Sequence, residues 1–410
     1  MKVLVVDPSL FTLPYDAAFC RALARAGAQV GLVGRPLRRN ENLAPVEFSF
    51  RPLFYRASEA LTHPPTALKG LEHARGLAAL ARLIRRDRPD IVHLQWLAVP
   101  LLDRPFLAAT GGATRLVFTA HNSGSFHDAR SRLQALGLDG ALRRFAAILA
   151  HTEKTRAWLE ARGVEPSRIL LLPHPPLELA ADGPAEPVPP TEPGVATVLL
   201  WGAIKPYKGL DVLVRAVVHH LPAELPLRVV VAGRPFMDLA PLRAMIDAAP
   251  HRDRFRFDLG FLSEARLAAW IRAADIVVFP YRTVDGSGAL AATARFGKPI
   301  VASAIGTFAE EPARGLLELV PSGDPAALAA RLQALILDPE RRRAAGANTR
   351  RLAQLLPSWD RFAAACLERY EQLLAERGPA SAPSAGRARG SLRPLDPACS
   401  RHQTRQPPRS

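Results

Sequence analysis

Short apolar runs alternate with longer amphipathic stretches along most of this sequence. Val3–Val6 has the pattern of a buried strand, Asp16–Ala26 has helical spacing, and Gln29–Val33 is a second strand pattern. The last such stretch is an amphipathic helix at Trp359–Ala375. Strands that alternate with helices predict parallel sheets with right-handed crossover helices. The chain is therefore expected to be an α/β protein of the doubly wound, Rossmann-like type.

One proline-rich segment divides this pattern in two. Residues 179–195 contain five prolines and little periodicity, which is typical of a linker. A chain of 410 residues is long enough for two domains that face a central cleft. The predicted boundaries are an N-terminal domain at 1–178, the linker at 179–195, a second domain at 196–358, a C-terminal amphipathic helix at 359–377 and a disordered basic tail at 378–410.

The charge balance is strongly basic. The chain has 54 Lys and Arg against 38 Asp and Glu, a net charge of +16. The tail contributes six arginines against Asp396, which leaves +11 on the rest of the chain. A charge of this sign favours phosphate-bearing partners, which include nucleic acid, anionic lipid and phosphorylated small molecules.

The cysteine content and the hydropathy of the sequence restrict the cellular compartment in which the protein is expected. Three cysteines in 410 residues exclude a disulfide framework and a Cys-rich zinc site. The sequence has no secretory signal pattern and no run of about 18 apolar residues. We therefore expect a cytoplasmic protein, either soluble or peripheral on the inner face of the cell membrane.

Two lysines lie where one predicted strand gives way to a helix. Trp201 ends the strand, Gly202 permits close backbone approach, and Lys205 and Lys208 precede a helix that starts near Gly209. Two ammonium groups beside helix N–H groups suit a diphosphate. The alternative is a solvated basic loop, and the spacing alone does not decide between them.

A second loop has the composition of an anion-binding turn. Residues 285–288, Asp-Gly-Ser-Gly, open a helix after a strand that ends at Pro280. Gly286, Gly288 and Ala291 also match a dinucleotide fingerprint, but that fingerprint belongs to a first βα unit with an acidic residue at the next strand end. A nicotinamide site is therefore disfavoured, and no cofactor is expected.

Motifs in both halves follow the order of a known family. They are Asp90-Ile-Val-His-Leu-Gln-Trp96, Phe118-Thr-Ala-His121-Asn122, Ala150-His-Thr-Glu153 and Leu172-Pro-His174, then Gly202…Lys205…Lys208-Gly209, Pro280-Tyr281…Ser287-Gly288 and Gly297-Lys-Pro-Ile-Val-Ala-Ser303. Over residues 1–376 the chain resembles the GT-B glycosyltransferases of the retaining group 1 (family 4) type.

The resemblance implies two facing Rossmann-like domains, with a nucleoside-diphosphate sugar on the second and an acceptor on the first. It implies that His121, Lys205 and Lys208 are catalytic, with His121 facing the transferred sugar and Lys208 holding the diphosphate. The implied donor contacts are Gly202, Gly233, Arg234, Phe261, Leu262, Asp285, Ser287, Gly288, Ala289 and Leu290, and the implied acceptor side is Tyr15, Asp16 and His151.

Two features depart from the family pattern. Its paired glutamates would fall near Val284 and Ala292, where Asp285 is the candidate substitute for the first and nothing replaces the second. Its glycine-rich first loop is absent, and Phe-Thr-Leu-Pro-Tyr-Asp at 11–16 occupies that place. The sequence therefore leaves the donor base, the sugar and the linkage unassigned.

The expected function is transfer of a hexose from a GDP- or UDP-linked donor to a hydroxyl acceptor, in cell-surface polysaccharide or glycolipid synthesis. The sequence has no Asp-x-Asp motif, so the two lysines are expected to replace a metal ion at the diphosphate. A sugar-nucleotide isomerase of similar fold and a nucleic-acid-binding or regulatory module are the alternatives. No helix-turn-helix or aromatic-interleaved basic motif occurs, so no nucleic-acid partner is expected.

A glycan or lipid-linked acceptor at an anionic membrane surface would suit the positive charge of the chain. The candidate headgroup contacts are Arg82, Arg85, Arg86, Arg130, Arg132, Arg143 and Arg144.

The histidines divide by position. His93 lies mid-strand between apolar residues and is interpreted as a core group. His151 and His174 end predicted strands, which directs them toward the cleft, whereas His73 is expected on an exposed basic helix face.

Overall fold

The computed structural model describes residues 1–38, 41–43, 47–123, 136–177, 179, 186–189 and 192–376. These residues form two parallel β-sheets, one from each half of the sequence, and helices flank both. This is the two-part Rossmann-like α/β architecture that the alternation of strands and helices predicts. The helices in the described ranges include none that is both long enough and apolar enough to span a membrane.

The first sheet has seven parallel strands in the order β3-β2-β1-β4-β5-β6-β7. Its elements are β1 (Lys2–Val6), α1 (Leu13–Arg25), β2 (Gln29–Gly34), β3 (Ser49–Pro52), α2 (Thr66–Asp87), β4 (Ile91–Leu94), α3 (Pro100–Thr110), β5 (Arg115–Ala120), α4 (Leu138–Leu142), β6 (Ala147–Ala150), α5 (Glu153–Glu160) and β7 (Ile169–Leu171). The central strands are mostly apolar because packing covers both faces of the sheet.

The second sheet has six parallel strands in the order β10-β9-β8-β11-β12-β13. Its elements are β8 (Ala196–Trp201), α6 (Leu210–Arg215), β9 (Leu227–Gly233), α7 (Ala240–Asp247), β10 (Phe255–Leu259), α8 (Glu264–Ala273), β11 (Ile276–Phe279), α9 (Gly288–Ala294), β12 (Ile300–Ser303), β13 (Glu318–Val320), α10 (Pro325–Leu337), α11 (Pro339–Leu355) and α12 (Trp359–Ala375).

In both sheets the first strand in sequence is an interior strand. The strand order continues from it toward both edges of the sheet. β1 pairs with β2 on one side and β4 on the other, through Val3 with Val30 and Val3 with Ile91. β8 lies in the same way between β9 and β11. The connecting helices leave from opposite faces at such a reversal, which opens a crevice at the carboxyl ends of the strands.

The last helix, α12, returns to the first half of the chain. Trp359 and Phe362 of α12 pack against Tyr15 and Phe19 of α1, with ring centroids 5.0 to 6.2 Å apart. These side chains share one apolar core with β1 and β2. Each close aromatic pair contributes about 1 kcal/mol beyond its buried area, so the helix is well anchored there.

The predicted positions of two histidines outside the cleft, His93 and His73, can be compared with the structure. His93 is buried, with Nδ1 at 2.5 Å from the Tyr370 hydroxyl and Nε2 at 2.7 Å from Thr119 Oγ1, which confirms its interpretation as a core group. The exposed position expected for His73 is wrong: the side chain is buried and bonds Tyr55 and Asp103 at 2.8 and 2.7 Å. His73 falls at helical spacing with the buried leucines of α2, so it belongs to that face.

One helix differs from its predicted form, and parts of the predicted linker and tail lie outside the described residues. The helix expected to start near Gly209 is α-helical over Leu210–Arg215 and continues as a π-helical turn at Ala216–His220. The linker at 179–195 is described only at 179, 186–189 and 192–195, and the tail at 378–410 lies outside the described residues. The domain boundaries given above stay predictions.

Candidate active site

The carboxyl ends of the central strands bring residues from both halves of the chain to one cleft. His121 follows β5 and His151 follows β6, while Gly202 follows β8 of the second sheet. The loops of the two halves meet there, because Lys205 Nζ lies 5.8 Å from the centre of the Phe11 ring. Strand-end positions predict this convergence, since parallel strands place their carboxyl ends at one edge.

His121 has a fixed orientation. Its ring stacks on Trp96 with centroids 4.9 Å apart and planes at 14°, and Nε2 donates to Gln95 Oε1 at 3.0 Å. Burial, and then the neighbouring His151 and His174, hold the pKa of His121 well below its usual value. The ring is therefore neutral at pH 7, with its proton on Nε2 and Nδ1 as an acceptor.

Tyr15 is the centre of a histidine cluster under the cleft. Its ring lies 4.9 Å from His121, 5.5 Å from His151 and 5.1 Å from His174. His151 Nδ1 donates to the Leu172 carbonyl at 2.9 Å, and burial lowers the pKa of His151 to about 3 and that of His174 to about 4. The cluster is therefore uncharged at pH 7.

The acceptor-side positions expected for Tyr15 and Asp16 need correction. Tyr15 is 2% exposed and Asp16 is 0% exposed, because α1 turns both side chains into the core. Neither is accessible to an acceptor in this conformation, so both support the cleft from beneath. His151, the third acceptor-side residue, is also buried at 6% exposure and has no partner in the described residues for Nε2.

Asp16 forms a buried carboxyl pair with Asp7 at the end of β1. Asp7 accepts backbone N–H bonds from Ser9 and Thr12, both at 3.1 Å. Burial raises the pKa of Asp16 well above its usual value, and the charge of Asp7 raises it further. The Thr12 hydroxyl links this pair to the His121 support, since it accepts from Trp96 Nε1 at 3.0 Å.

Lys208 lies on the opposite side of the cleft in a buried position. Its side chain is 7% exposed, and its Nζ lies 5.4 Å from the centre of the Tyr281 ring. Burial, and then the charge of Lys205, lower the pKa of Lys208 to about 8. It remains a cation at pH 7, yet no carboxylate in the described part of the chain forms an ion pair with it.

Two glycines allow the strand ends beside Lys208 to approach each other. Gly233 has φ of +142°, and a Cβ there would lie 2.0 Å from the carbonyl oxygen of Gly202. Gly202 has φ of +97°. A side chain at residue 233 would therefore separate β8 from β9 at the edge of the cleft, whereas one at residue 202 would meet the Lys208 ammonium.

Lys205 has a different environment from Lys208. Its Nζ lies 5.8 Å from the ring centres of both Phe11 and Phe236, which belong to opposite halves. Both rings are about half exposed, at 52% and 54%. Lys205 thus lies between two aromatic rings at the cleft entrance, an arrangement that gives cation–π attraction.

The loop before α9 carries most of the other predicted donor contacts. Ser287 begins α9, and its Oγ accepts from the Leu290 N–H at 3.1 Å, so the Leu290 amide is already hydrogen-bonded. A Cβ on Gly288 would lie 3.5 Å from His174 Cε1, which brings this loop against the first half. Within the described residues no hydrogen bond engages the amides of Gly288 and Ala289, so both can face an anion at this turn.

Asp285 in the same loop contacts the first half of the chain. Its Oδ2 accepts from the Ser123 backbone N–H at 2.5 Å and from the Ser123 hydroxyl at 2.6 Å. Its Oδ1 pairs with Lys154 Nζ at 2.6 Å. The carboxylate expected at the donor is thus engaged by two residues from across the cleft.

The predicted base contacts lie at the carboxyl ends of β9 and β10. Arg234 is exposed and its guanidinium lies 5.2 Å from the centre of the Phe236 ring. Phe261 is 61% exposed and Leu262 is half-buried. These side chains form an open, partly apolar edge of the cleft.

Sequence reasoning missed several residues of this site. Gln95 and Trp96 support His121, and Ser123 and Lys154 engage Asp285. Their signal was position: each follows the end of a parallel strand by a few residues. In the described ranges, no group of three or more His, Cys, Asp or Glu is arranged to hold a metal ion.

Comparison with known proteins gives a consistent result for both halves. Residues 17–175 match the family model described as Glycosyltransferase Family 4, and residues 196–338 match that described as Glycosyl transferases group 1. The chain is 29% identical to the D-inositol 3-phosphate glycosyltransferase of Xylanimonas cellulosilytica, over 88% of this chain and 92% of that protein. It is 30% identical to the protein of the same name from Kineococcus radiotolerans, over 70% of this chain and 72% of that protein.

The fold agrees with these matches. It is similar to that of a sucrose-phosphate synthase from Thermosynechococcus elongatus, with a TM-score of 0.71 and 19% sequence identity, over 92% of this chain and all of that one. Two observations decide the family. Two family models match in order along the chain, and a relative that is 30% identical is covered over 72% of its length. The chain belongs to the group 1 (family 4) glycosyltransferases and has their GT-B fold.

Proposed function

We propose that this glycosyltransferase binds the diphosphate of a nucleotide-sugar donor at Lys208 and transfers the sugar on the side of the cleft that carries His121. The buried ammonium of Lys208 carries the proposal, because no described carboxylate supplies its counter-charge. A buried charge without a partner is costly. A diphosphate would supply the missing negative charge and form charge-assisted hydrogen bonds.

The proposed chemistry follows from where charge develops. The bond between the anomeric carbon and the diphosphate oxygen breaks, and the acceptor hydroxyl oxygen forms the new bond and loses its proton. Negative charge on the diphosphate increases as it leaves. Lys208, with Lys205 at the entrance, stabilises that charge more strongly in the transition state than in the ground state.

His121 is assigned to orienting the transferred sugar. Its Nε2 proton is held by Gln95, so the free Nδ1 accepts a hydrogen bond from a sugar hydroxyl. Stacking on Trp96 restricts rotation of the ring. Such positioning lowers the barrier because the reacting carbon is held at a fixed place relative to the acceptor.

The remaining donor contacts are proposed at the strand ends of the second half. The close approach of Gly202 and Gly233 leaves room for the diphosphate beside β8, with Ser287, Gly288 and Ala289 on its other side. Arg234, Phe261 and Leu262 are proposed to border the base of a GDP- or UDP-linked donor.

Metal independence is also a proposal. The two lysines provide positive charge at the place where a metal ion would otherwise neutralise the diphosphate. Initial rates measured with and without excess EDTA should agree. Loss of activity that magnesium or manganese restores would contradict the assignment of charge neutralisation to Lys205 and Lys208.

Two acceptor classes are compared. The positive charge of the chain favours a glycan or lipid-linked acceptor at an anionic membrane, whereas the relatives in Xylanimonas and Kineococcus are named for D-inositol 3-phosphate. We propose a hydroxyl acceptor bound on the first half of the chain in either case. Product formation with inositol phosphate, set against a lipid-linked glycan at equal concentration, decides between the classes.

Contact with an anionic membrane surface is proposed through exposed arginines of the first half. They are Arg82, Arg85 and Arg86 near the end of α2, and Arg143 and Arg144 after α4, whereas Arg130 and Arg132 lie outside the described residues. These positions precede β4 and β6, so they lie at the sheet edge opposite His121. Sedimentation with vesicles of anionic and of neutral lipid tests this contact, which requires binding to the anionic vesicles alone.

A thermal-shift series tests the donor assignment. UDP, GDP, ADP and their sugar conjugates are added to the wild type and to Lys208→Ala. A ligand at 100 times its dissociation constant adds about 2.7 kcal/mol of stability, so the correct nucleotide is readily detected. We expect one nucleotide to stabilise the wild type and not the variant. Equal stabilisation of both proteins would contradict the role of Lys208.

A further inference from the structure

The buried carboxylate of Asp285 belongs to the second half, and within the described ranges its side-chain partners, Ser123 and Lys154, both belong to the first half. Asp285 is 3% exposed. Its two oxygens are bonded by the Ser123 N–H and hydroxyl and by Lys154 Nζ, at 2.5 to 2.6 Å. These three bonds to the carboxylate therefore form only while the two halves are together.

The positions of these residues connect the two sides of the proposed reaction. Ser123 follows His121 by two residues, and Lys154 is in the first turn of α5, just after His151. On the other side, Asp285 precedes Ser287 by two residues. The contact thus joins the loop that carries His121 to the loop that borders the proposed diphosphate site.

Asp285 is also held firmly within its own half. Its carbonyl oxygen accepts from the Thr307 N–H at 3.2 Å. Its neighbour Val284 is in close contact with Gly306, where a Cβ would lie 2.3 Å from the Val284 carbonyl oxygen. A loop packed this closely has little freedom, so a bond to its carboxylate fixes the position of the partner residue.

The energetics favour a closed arrangement. When the halves separate, the Asp285 carboxylate loses its three charge-assisted bonds and forms bonds with water instead. Removing one partner while the halves stay closed leaves a buried carboxylate incompletely neutralised, which is strongly unfavourable. The contact is therefore selective for one relative position of His121 and the second half.

We propose that Asp285 is a positioning residue that sets His121 against the donor by joining the two halves through Ser123 and Lys154. This replaces the expectation that Asp285 contacts the donor directly, and it rests on the proposed function. The reacting atoms are not touched by Asp285 itself, so its removal should affect the rate of transfer more than the affinity for the nucleoside diphosphate.

The experiment is a mutant cycle with three readouts. The variants are Ser123→Ala, Lys154→Met, Asp285→Ala and the two doubles that combine Asp285→Ala with the others. We expect Asp285→Ala to lower kcat by about tenfold or more, and Ser123→Ala and Lys154→Met by less. The Kd of UDP or GDP, measured by calorimetry, should stay within about twofold of the wild type.

The double variants show whether Ser123 and Lys154 affect kcat through Asp285 or independently of it. Once the Asp285 side chain is removed, Ser123→Ala and Lys154→Met should add nothing further to the loss of kcat. Solution scattering of the free protein should show a larger radius of gyration for Asp285→Ala than for the wild type. Glu311→Gln is the matched control, because Glu311 is exposed and pairs within its own half with Arg314 at 3.8 Å.

Three outcomes would overturn the proposal. One is a nucleotide Kd that weakens in Asp285→Ala as much as kcat falls, which would make Asp285 a donor ligand. Another is full additivity in the doubles, and the third is scattering that does not change. Scattering needs no substrate, so it tests the contact even if Lys208→Ala shows that the donor assignment itself is wrong.

Discussion

The Nζ atom of Lys208 lies 3.0 Å from the position that a Cβ atom on Gly202 would occupy. The backbone of Gly202 has φ of +97°, a region that L side chains rarely adopt. The absence of a side chain at residue 202 therefore leaves room both for the turn after β8 and for the ammonium group. Glycine and lysine together define one wall of the proposed diphosphate site.

Gly202→Ala should impair nucleotide binding as well as stability. Its Cβ would displace the Lys208 ammonium, and its positive φ costs about 1–2 kcal/mol. Gly27→Ala is the matched control, because Gly27 has φ of +91° and open space around the Cβ position. Denaturant unfolding should show a similar loss in both variants, while calorimetry with UDP or GDP should show a loss in Gly202→Ala alone. Unchanged nucleotide affinity in Gly202→Ala would argue against a diphosphate beside Lys208.

Lys208→Ala and His121→Ala should separate the two sides of the reaction. Removal of the Lys208 charge should lower turnover by roughly a hundredfold or more and weaken nucleoside-diphosphate binding, because the interaction grows as the leaving group departs. Removal of the His121 ring should lower turnover and leave affinity for the free nucleoside diphosphate nearly unchanged, because that product lacks the sugar. Calorimetry and steady-state kinetics on both variants check this. Equal loss of nucleotide affinity in the two variants would show that His121 is misplaced relative to the donor.

The alternation of strands and helices predicted the two sheets because buried parallel strands are continuous apolar runs. The edge strands β3 and β13 were not predicted, since Ser49–Pro52 has no buried residue and Glu318–Val320 has only one. Lys208 was predicted as a site residue from its basic strand-to-helix loop and from the family resemblance, and His121 from the family resemblance. The contact of Ser123 with Asp285 was not, because 162 residues separate them and only the approach of the two halves brings them together.

Burial of Tyr15 and Asp16 shows a further limit of sequence reasoning. A loop position in the family pattern gave these residues an accessible role, but in this chain α1 begins at Leu13 and turns both side chains inward. Periodicity alone cannot show this, because the packing partners Trp359 and Phe362 come from the far end of the chain.

Nucleotide binding should weaken above pH 8. The pKa of Lys208 in the free protein is lowered by burial to about 8, and a bound diphosphate favours the charged form. As pH rises through that value the free protein loses the proton, so affinity should fall by about tenfold per pH unit at higher pH. Calorimetry at pH 7, 8 and 9 measures the slope.

Lys208→Arg is the control for this pH dependence. A guanidinium stays protonated throughout the range, so affinity in this variant should be flat between pH 7 and 9, whatever its absolute value. His121, His151 and His174 are neutral above pH 7 because burial lowers their pKa values, so they contribute no slope. A wild-type affinity that does not change between pH 7 and 9 would show that another group holds the diphosphate.

Asp16→Asn should raise stability at neutral pH and remove a pH dependence. Burial and the charge of Asp7 raise the folded-state pKa of Asp16 above the unfolded value, so the folded protein loses stability as pH rises from about 4 through the folded pKa. An amide cannot ionise, and its N–H can donate to Asp7 as the protonated carboxyl does. We expect a gain of roughly 1 kcal/mol at pH 8 that disappears near pH 4, measured by urea unfolding.

Asp360→Asn is the control, because Asp360 is 70% exposed and pairs with Arg25 at 2.6 Å, so its change should be within about 0.5 kcal/mol. A variant Asp16→Asn that is less stable than the wild type at both pH values would mean that the ionised carboxylate is the form the core requires.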